Sequence, residues 1–214
     1  MSLIGSPFIL MSGAAGLAYG LVLQFRPSGA FRTAVKTLAV GALAVWAFMA
    51  GAPPLLTTAL ALSALGDAFL AGDPKRWLPF GLASFLVAHL VYVAFFLEIG
   101  QLGLLLREPW RLACSLGALA AGVAVLVWLW KDFGALRMAV LAYMVAITAM
   151  VATAFSLDSG RISAMTGAAA FMASDGILSW RLFRHADRPS LIADHAVWWL
   201  YFAGQAGIAA AFLI

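Results

Sequence analysis

The chain has 214 residues, 64% of them hydrophobic and only 10% charged, with a mean hydropathy of +1.00. A soluble domain carries about 25% charged residues, so this composition excludes a soluble globular domain, a disordered chain and a coiled coil. A single cysteine, Cys114, excludes an internal disulfide and a cysteine-cluster metal site. The net charge of +4 does not point to nucleic acid, because so few charges make no basic face and membrane topology accounts for the excess.

A hydrocarbon core of ~30 Å is crossed by about 20 apolar residues in a helix. Eight stretches read this way: Pro7–Phe25, Ala34–Gly51, Pro53–Ala71, Pro79–Ile99, Leu112–Trp130, Leu136–Ser156, Ile162–Trp180 and Ala196–Leu213. Short connections rich in Gly, Pro and charge divide them, such as Arg26-Pro27-Ser28-Gly29 and Gly72-Asp73-Pro74-Lys75-Arg76. Pro53, Pro79 and Pro109 fall where helices are expected to begin. The first stretch lacks the basic start and cleavage site of a signal peptide, so it is expected to remain a span. The prediction is an all-α polytopic membrane protein, one integral membrane domain over 1–214 with a bundle of eight transmembrane helices. Trp110, Trp128, Trp130, Trp198 and Trp199 lie near span ends and are expected to form the aromatic belt.

Alternate loops and their helix ends hold Arg26, Arg32, Lys36, Lys75, Arg76, Lys131, Arg137, Arg181, Arg184 and Arg188; the other loops hold Arg107, Arg111 and Arg161. The positive-inside rule places the first set in the cytoplasm and both termini outside, in what would be a bacterial inner membrane.

Ionisable groups inside a span cost a few kcal/mol on insertion scales and mark functional sites. Three stand well inside: Asp67 in Ser63-Ala64-Leu65-Gly66-Asp67-Ala68-Phe69-Leu70, His89, and Asp175 in Phe171-Met172-Ala173-Ser174-Asp175-Gly176-Ile177-Leu178. Asp67 is four residues before Ala71 and Asp175 five before Trp180, so each is expected roughly 6–8 Å inside the cytoplasmic end of its span. Equal depth on two helices suggests a shared polar cavity facing the cytoplasmic leaflet. Lys36 begins the second span at that boundary, and Tyr143 reaches the same depth. Tyr201 and Gln205 share one helix face at i, i+4, and His89 and Tyr92 another at i, i+3. Gly66 and Ser174, each preceding an aspartate, would permit close helix approach. Plainer roles exist for each residue: packing carboxylates, a core histidine, amphipathic tyrosines, a snorkelling lysine.

No histidine-rich zinc set, phosphate loop or nucleophile elbow is present, so no metal or cofactor is expected. Two buried carboxyl groups near one another hold one proton between them. Such a pair serves either cleavage of an acid-labile bond or proton-coupled transport; a helix-gluing structural role is the third reading.

The ordered set made by the two aspartate motifs, His89-Leu90-Val91-Tyr92 between them, Tyr143 with Met150, and Tyr201-Phe202-Ala203-Gly204-Gln205 resembles the YhhN-like lysoplasmalogenase family of eight-span membrane proteins, from about Lys36 to the end. Lys36 matches that family's early lysine, here followed by Thr37 rather than proline. The resemblance implies hydrolysis of the vinyl ether bond of lysoplasmalogens to a fatty aldehyde and a glycerophospho-alcohol. The catalytic residues would be Asp67 and Asp175, with Lys36, His89, Tyr92, Tyr143, Tyr201 and Gln205 around a single-chain phospholipid. The alternative is a proton-coupled transporter using the same aspartates.

Overall fold

The computed structural model describes residues 7–186, 188 and 190–214; of Pro74 and Lys75 it describes the backbone alone. One cation of the expected cytoplasmic face, Lys75, therefore has its side chain outside the described residues.

Among the described residues the fold is all-α, with no strand: α1 (Pro7–Leu21), α2 (Ala30–Met49), α3 (Pro54–Leu70), α4 (Pro74–Ile99), α5 (Gly103–Arg107), α6 (Pro109–Leu129), α7 (Arg137–Ala154), α8 (Ile162–Arg184) and α9 (Leu191–Leu213). Each of the eight apolar stretches coincides with one helix, 15 to 26 residues long. The short α5 in the fourth connection has no counterpart among the predicted elements.

Length and apolarity by themselves support five crossings: α2, α4 from Arg76, α6, Gly134–Ala154 and α9. The helices α1 and α3 are apolar but have 15 and 17 residues. They rise about 22 and 26 Å, short of the ~30 Å core. The 23-residue α8 has the length, but Asp175, Arg181 and Arg184 make it less apolar.

Proline sets two helix starts as expected and corrects a third. Pro54 follows the N-cap Pro53 of α3, and Pro109 opens α6. Pro79 instead lies inside α4, which begins at Pro74. Its missing N–H removes one helical bond near the start of the helix, where the ladder is easiest to interrupt.

The chain divides into two compact units, with the boundary inside α4. The first runs to Tyr92 and includes Phe212–Ile214; the second spans Val93–Ala211.

In the first unit α2 packs along both α1 and α3. Its buried face is largely alanine, with Ala39, Val40, Leu43 and Ala47 at 4% exposure or less, and α3 answers with Leu56, Ala59 and Leu60 at zero. Lipid tails are as apolar as these side chains, so close backbone approach supplies the attraction. A Cβ at Gly66 would lie 2.6 Å from the Phe85 ring, so any side chain there would have to displace that ring where α3 meets α4.

In the second unit α7 packs against α6 and α8. Close approach recurs between α8 and α9, where a Cβ at Gly167 would sit 2.6 Å from the Gly204 carbonyl oxygen. The Ser174 hydroxyl ties the same two helices by donating to the Val197 carbonyl at 2.8 Å. Trp198 departs from the aromatic-belt expectation: it is 3% exposed and stacks on Phe202 at 5.7 Å, whereas Trp110, Trp128 and Trp130 are exposed. Its place beside Tyr201 on the packed face of α9 decides this, which nearness to a span end does not report.

Candidate functional site

In the first unit the Lys36 ammonium lies 3.2 Å from the Asp67 carboxylate, which is 1% exposed. A lone carboxylate would be costly in this apolar setting, and a cation at contact distance compensates it. The residues holding the lysine are built from three helices. One turn before it on α2, Arg32 donates to the Ala71 carbonyl at the end of α3 (2.8 Å) and to the Leu23 carbonyl past the end of α1 (3.1 Å). A helix end leaves carbonyls such as that of Ala71 without a helical partner, and the guanidinium fork supplies several donors at once. Its third donation goes to the Tyr19 hydroxyl at 3.2 Å, and the Lys36 ammonium stands 5.7 Å over the Tyr19 ring. Tyr19 is itself 5% exposed. The sequence marks Arg32 only as a topology-setting cation and does not mark Tyr19. The spacing of Arg32 and Lys36, i and i+4 on one helix face, was the available signal.

His89 and Tyr92, on α4, are fully buried. Gly66 brings α3 onto Phe85, one turn before His89 on that helix.

In the second unit the Tyr143 hydroxyl donates to the Asp175 carboxylate in a short hydrogen bond from α7 to α8. Both residues are 7% exposed. Tyr201 packs edge-on to Phe171 at 5.1 Å, and Gln205, one turn further along α9, is fully buried. The two aspartates thus have different neighbours: a cation beside Asp67, a neutral phenol beside Asp175. Among the described residues no group of three or more His, Cys, Asp and Glu side chains has the arrangement of a metal site.

Arg111 is the buried charge that sequence reading missed. It is fully buried in the first turns of α6 and donates to the carbonyls of Phe155 (2.9 Å) and Leu157 (2.5 Å), to Ser159 (2.9 Å) and to Glu108 (2.8 Å). It therefore fastens the start of α6 to the turn joining α7 and α8. Those acceptors sit outside or at the end of α7, so the arginine satisfies carbonyls that have no helical partner. The Arg111 hydrogen bond holds the Glu108 carboxyl below its ordinary value, assisted by the Trp110 indole N–H. At the other end of these helices Arg184 pairs with Asp132 (2.6 Å) and Arg181 with Asp194 (3.0 Å).

Apolar helices with buried, partnered carboxylates define the class: an integral, multi-helix membrane protein. The YhhN family profile matches residues 31–212, and the chain belongs to that family. Two curated relatives, both called lysoplasmalogenase, come from Mycobacterium bovis and Mycobacterium tuberculosis. Each is 32% identical over 220 residues, covering 95% of this chain and 82% of the relative. No solved structure gives a significant match.

Proposed function

We propose that the chain is a lysoplasmalogenase-like hydrolase, which cleaves the vinyl ether of a single-chain phospholipid to a fatty aldehyde and a glycerophospho-alcohol. The observation that carries this is the likeness to two lysoplasmalogenases along nearly the whole chain; it favours hydrolysis over proton-coupled transport.

The chemistry needs an acid and a base but no covalent nucleophile. A proton delivered to the β-carbon of the vinyl ether gives an oxocarbenium ion. Water adds to that cation and loses a proton, and the resulting hemiacetal collapses to aldehyde and alcohol. We assign the two roles to Asp175 and Asp67. Asp67 pairs with the Lys36 ammonium, and a cation is balanced by a carboxylate rather than a carboxylic acid. Asp67 is therefore the anion that stabilises the developing positive charge and accepts the proton from water. Asp175, partnered by the neutral Tyr143 hydroxyl, is the proton donor. His89, Tyr92, Tyr201 and Gln205 orient these groups or the substrate.

In this reading the chain is one membrane domain of eight spans in a bacterial inner membrane, with both termini outside and the lipid taken from the cytoplasmic leaflet. The ten-to-three distribution of Lys and Arg supports that orientation. The test is aldehyde release from lysoplasmenyl-ethanolamine by purified protein, beside Asp67→Asn and Asp175→Asn. Aldehyde from the wild type and none from either folded variant is expected. A folded wild type that releases no aldehyde rejects the substrate assignment.

A further inference from the structure

The second unit contains a groove of about 690 Å³ between α6, α7 and α8. Gly117, Ala118 and Ala121 of α6 line one side, and Ala169, Ala173 and Gly176 of α8 line the other. We infer that this groove takes the hydrocarbon chain of a single-chain lysophospholipid and sets how long a chain the enzyme accepts. The inference rests on the hydrolase reading for the identity of that lipid.

Three observations point to this occupant. First, the groove lies one residue away from the Tyr143–Asp175 pair on both helices: Met144 and Gly176, each the next residue along from one member of that pair, line it, and the pair itself stands just behind the lining. Second, its length fits. Gly176 lies level with Val125 of α6, since a Cβ there would be 3.9 Å from the valine methyl. From Val125 back to Cys114, at the far end of the lining, α6 rises about 16 Å. That equals half of a ~30 Å hydrocarbon core, the depth that one lipid chain occupies. Third, the two ends differ in character. Beyond Val125 the groove ends at Trp128 and Trp180, with the Arg184 guanidinium, itself paired with Asp132, 4.7 Å over the Trp128 ring. Towards Cys114 the lining offers no charged side chain. An aromatic, interfacial end with polar side chains beyond it, joined to an apolar trough, matches a molecule with a polar head and one tail. Trp128 and Cys114 are both exposed, so the trough opens to the bilayer and a lipid enters sideways.

Gly117 allows a clean test, because a Cβ there meets nothing within 4 Å. Gly117→Phe therefore introduces a bulky ring at the trough from a Cβ that has room. Hydrolysis of lysoplasmenyl-ethanolamines with octadecenyl and decenyl chains would be compared for the wild type, Gly117→Phe and Val127→Phe, the last at a 71% exposed position of α6 outside the groove. Gly117→Phe is expected to lower kcat/KM for the long chain about tenfold or more relative to the short one; Val127→Phe is expected to leave the ratio unchanged. An unchanged ratio in Gly117→Phe overturns the inference.

A second readout needs no turnover. Cys114 is the only cysteine in the chain, so N-ethylmaleimide labelling of wild-type protein in nanodiscs reports on the trough. Added 1-O-octadecyl lysophosphatidylethanolamine, whose saturated ether is not the cleaved bond, is expected to slow labelling several-fold. No protection also overturns the inference, bulk bilayer lipid then being the occupant. Protection together with no aldehyde from the wild type keeps the groove as a lysolipid site and rejects the hydrolase reading instead.

Discussion

Two triplets of helices use small residues to opposite ends. Between α2 and α3, alanines bring two backbones together and bury seven residues of each helix, Asp67 among them. Between α6 and α8, Gly117, Ala118, Ala121, Ala173 and Gly176 border open space, and only Arg111, Ser115, Gly122 and Leu129 of α6 are buried. In lipid, association depends on contact geometry rather than on removing apolar surface from water. The α1–α3 region is therefore where packing stabilises the protein, and the α6–α8 region is where a ligand can fit. Each region carries one aspartate, and the partners differ: a lysine held by a tightly assembled end in the first, a tyrosine next in sequence to a groove-lining methionine in the second.

The largest expected effects come from removing the chemistry on each side. Asp67→Asn and Asp175→Asn are each expected to lower turnover by a factor of about 10²–10⁴ with an unchanged circular dichroism spectrum. Loss of activity in one variant alone would show that a single aspartate carries the reaction. The packing side of the comparison is sharpened by truncation. Leu60→Ala, at a fully buried position of α3, is expected to cost roughly 2–5 kcal/mol, seen as a clear fall in Tm in detergent. Leu116→Ala, at a 55% exposed position of α6, is expected to leave Tm nearly unchanged. Equal losses at the two positions would break the distinction between a packed and an open region.

Tyr143→Phe removes the hydroxyl that donates to Asp175. As Asp175 gives up its proton it becomes a carboxylate, and a hydrogen bond to a charged group contributes about 1.5–3 kcal/mol, so kcat is expected to fall roughly ten- to a hundredfold, less than for Asp175→Asn. The smallest effect concerns pH. Glu108 is held below its ordinary value of 4.5 by Arg111, so the folded state binds fewer protons than the unfolded state in that range. Its contribution to stability is complete above pH 4.5 and is lost as pH falls through the depressed value. Glu108→Gln is expected to flatten the decline of Tm on the acid side and to leave activity near neutrality unaltered. A decline as steep as in the wild type would place the acid-sensitive groups elsewhere.

Much of this was legible along the chain. Each apolar stretch became a helix because a run of apolar residues in lipid has to satisfy its own backbone. Asp67, His89 and Asp175 stood out because burying them in hydrocarbon is costly, and all three are buried. The order of the motifs carried the family resemblance. Other features were hidden for physical reasons. Arg111 reads as a loop-edge cation until the turn after α7 brings two carbonyls to it. Trp198 reads as an interfacial residue until Tyr201 and Phe202 place it on the inner face of α9. Pro79 reads as a helix start because proline's preference for the first turn does not reveal that Pro74 occupies that position.

By itself the sequence determined the solvent, the helices and which ionisable residues would be expensive, since each of these depends on the composition of a short local stretch. Tertiary structure alone decided what each expensive group would meet. Lys36 reaches Asp67, and Tyr143 reaches Asp175, from other helices, and no local periodicity encodes that pairing. The small residues show the same limit: whether a row of Gly and Ala closes an interface or leaves a groove depends on the side chains of the helix opposite.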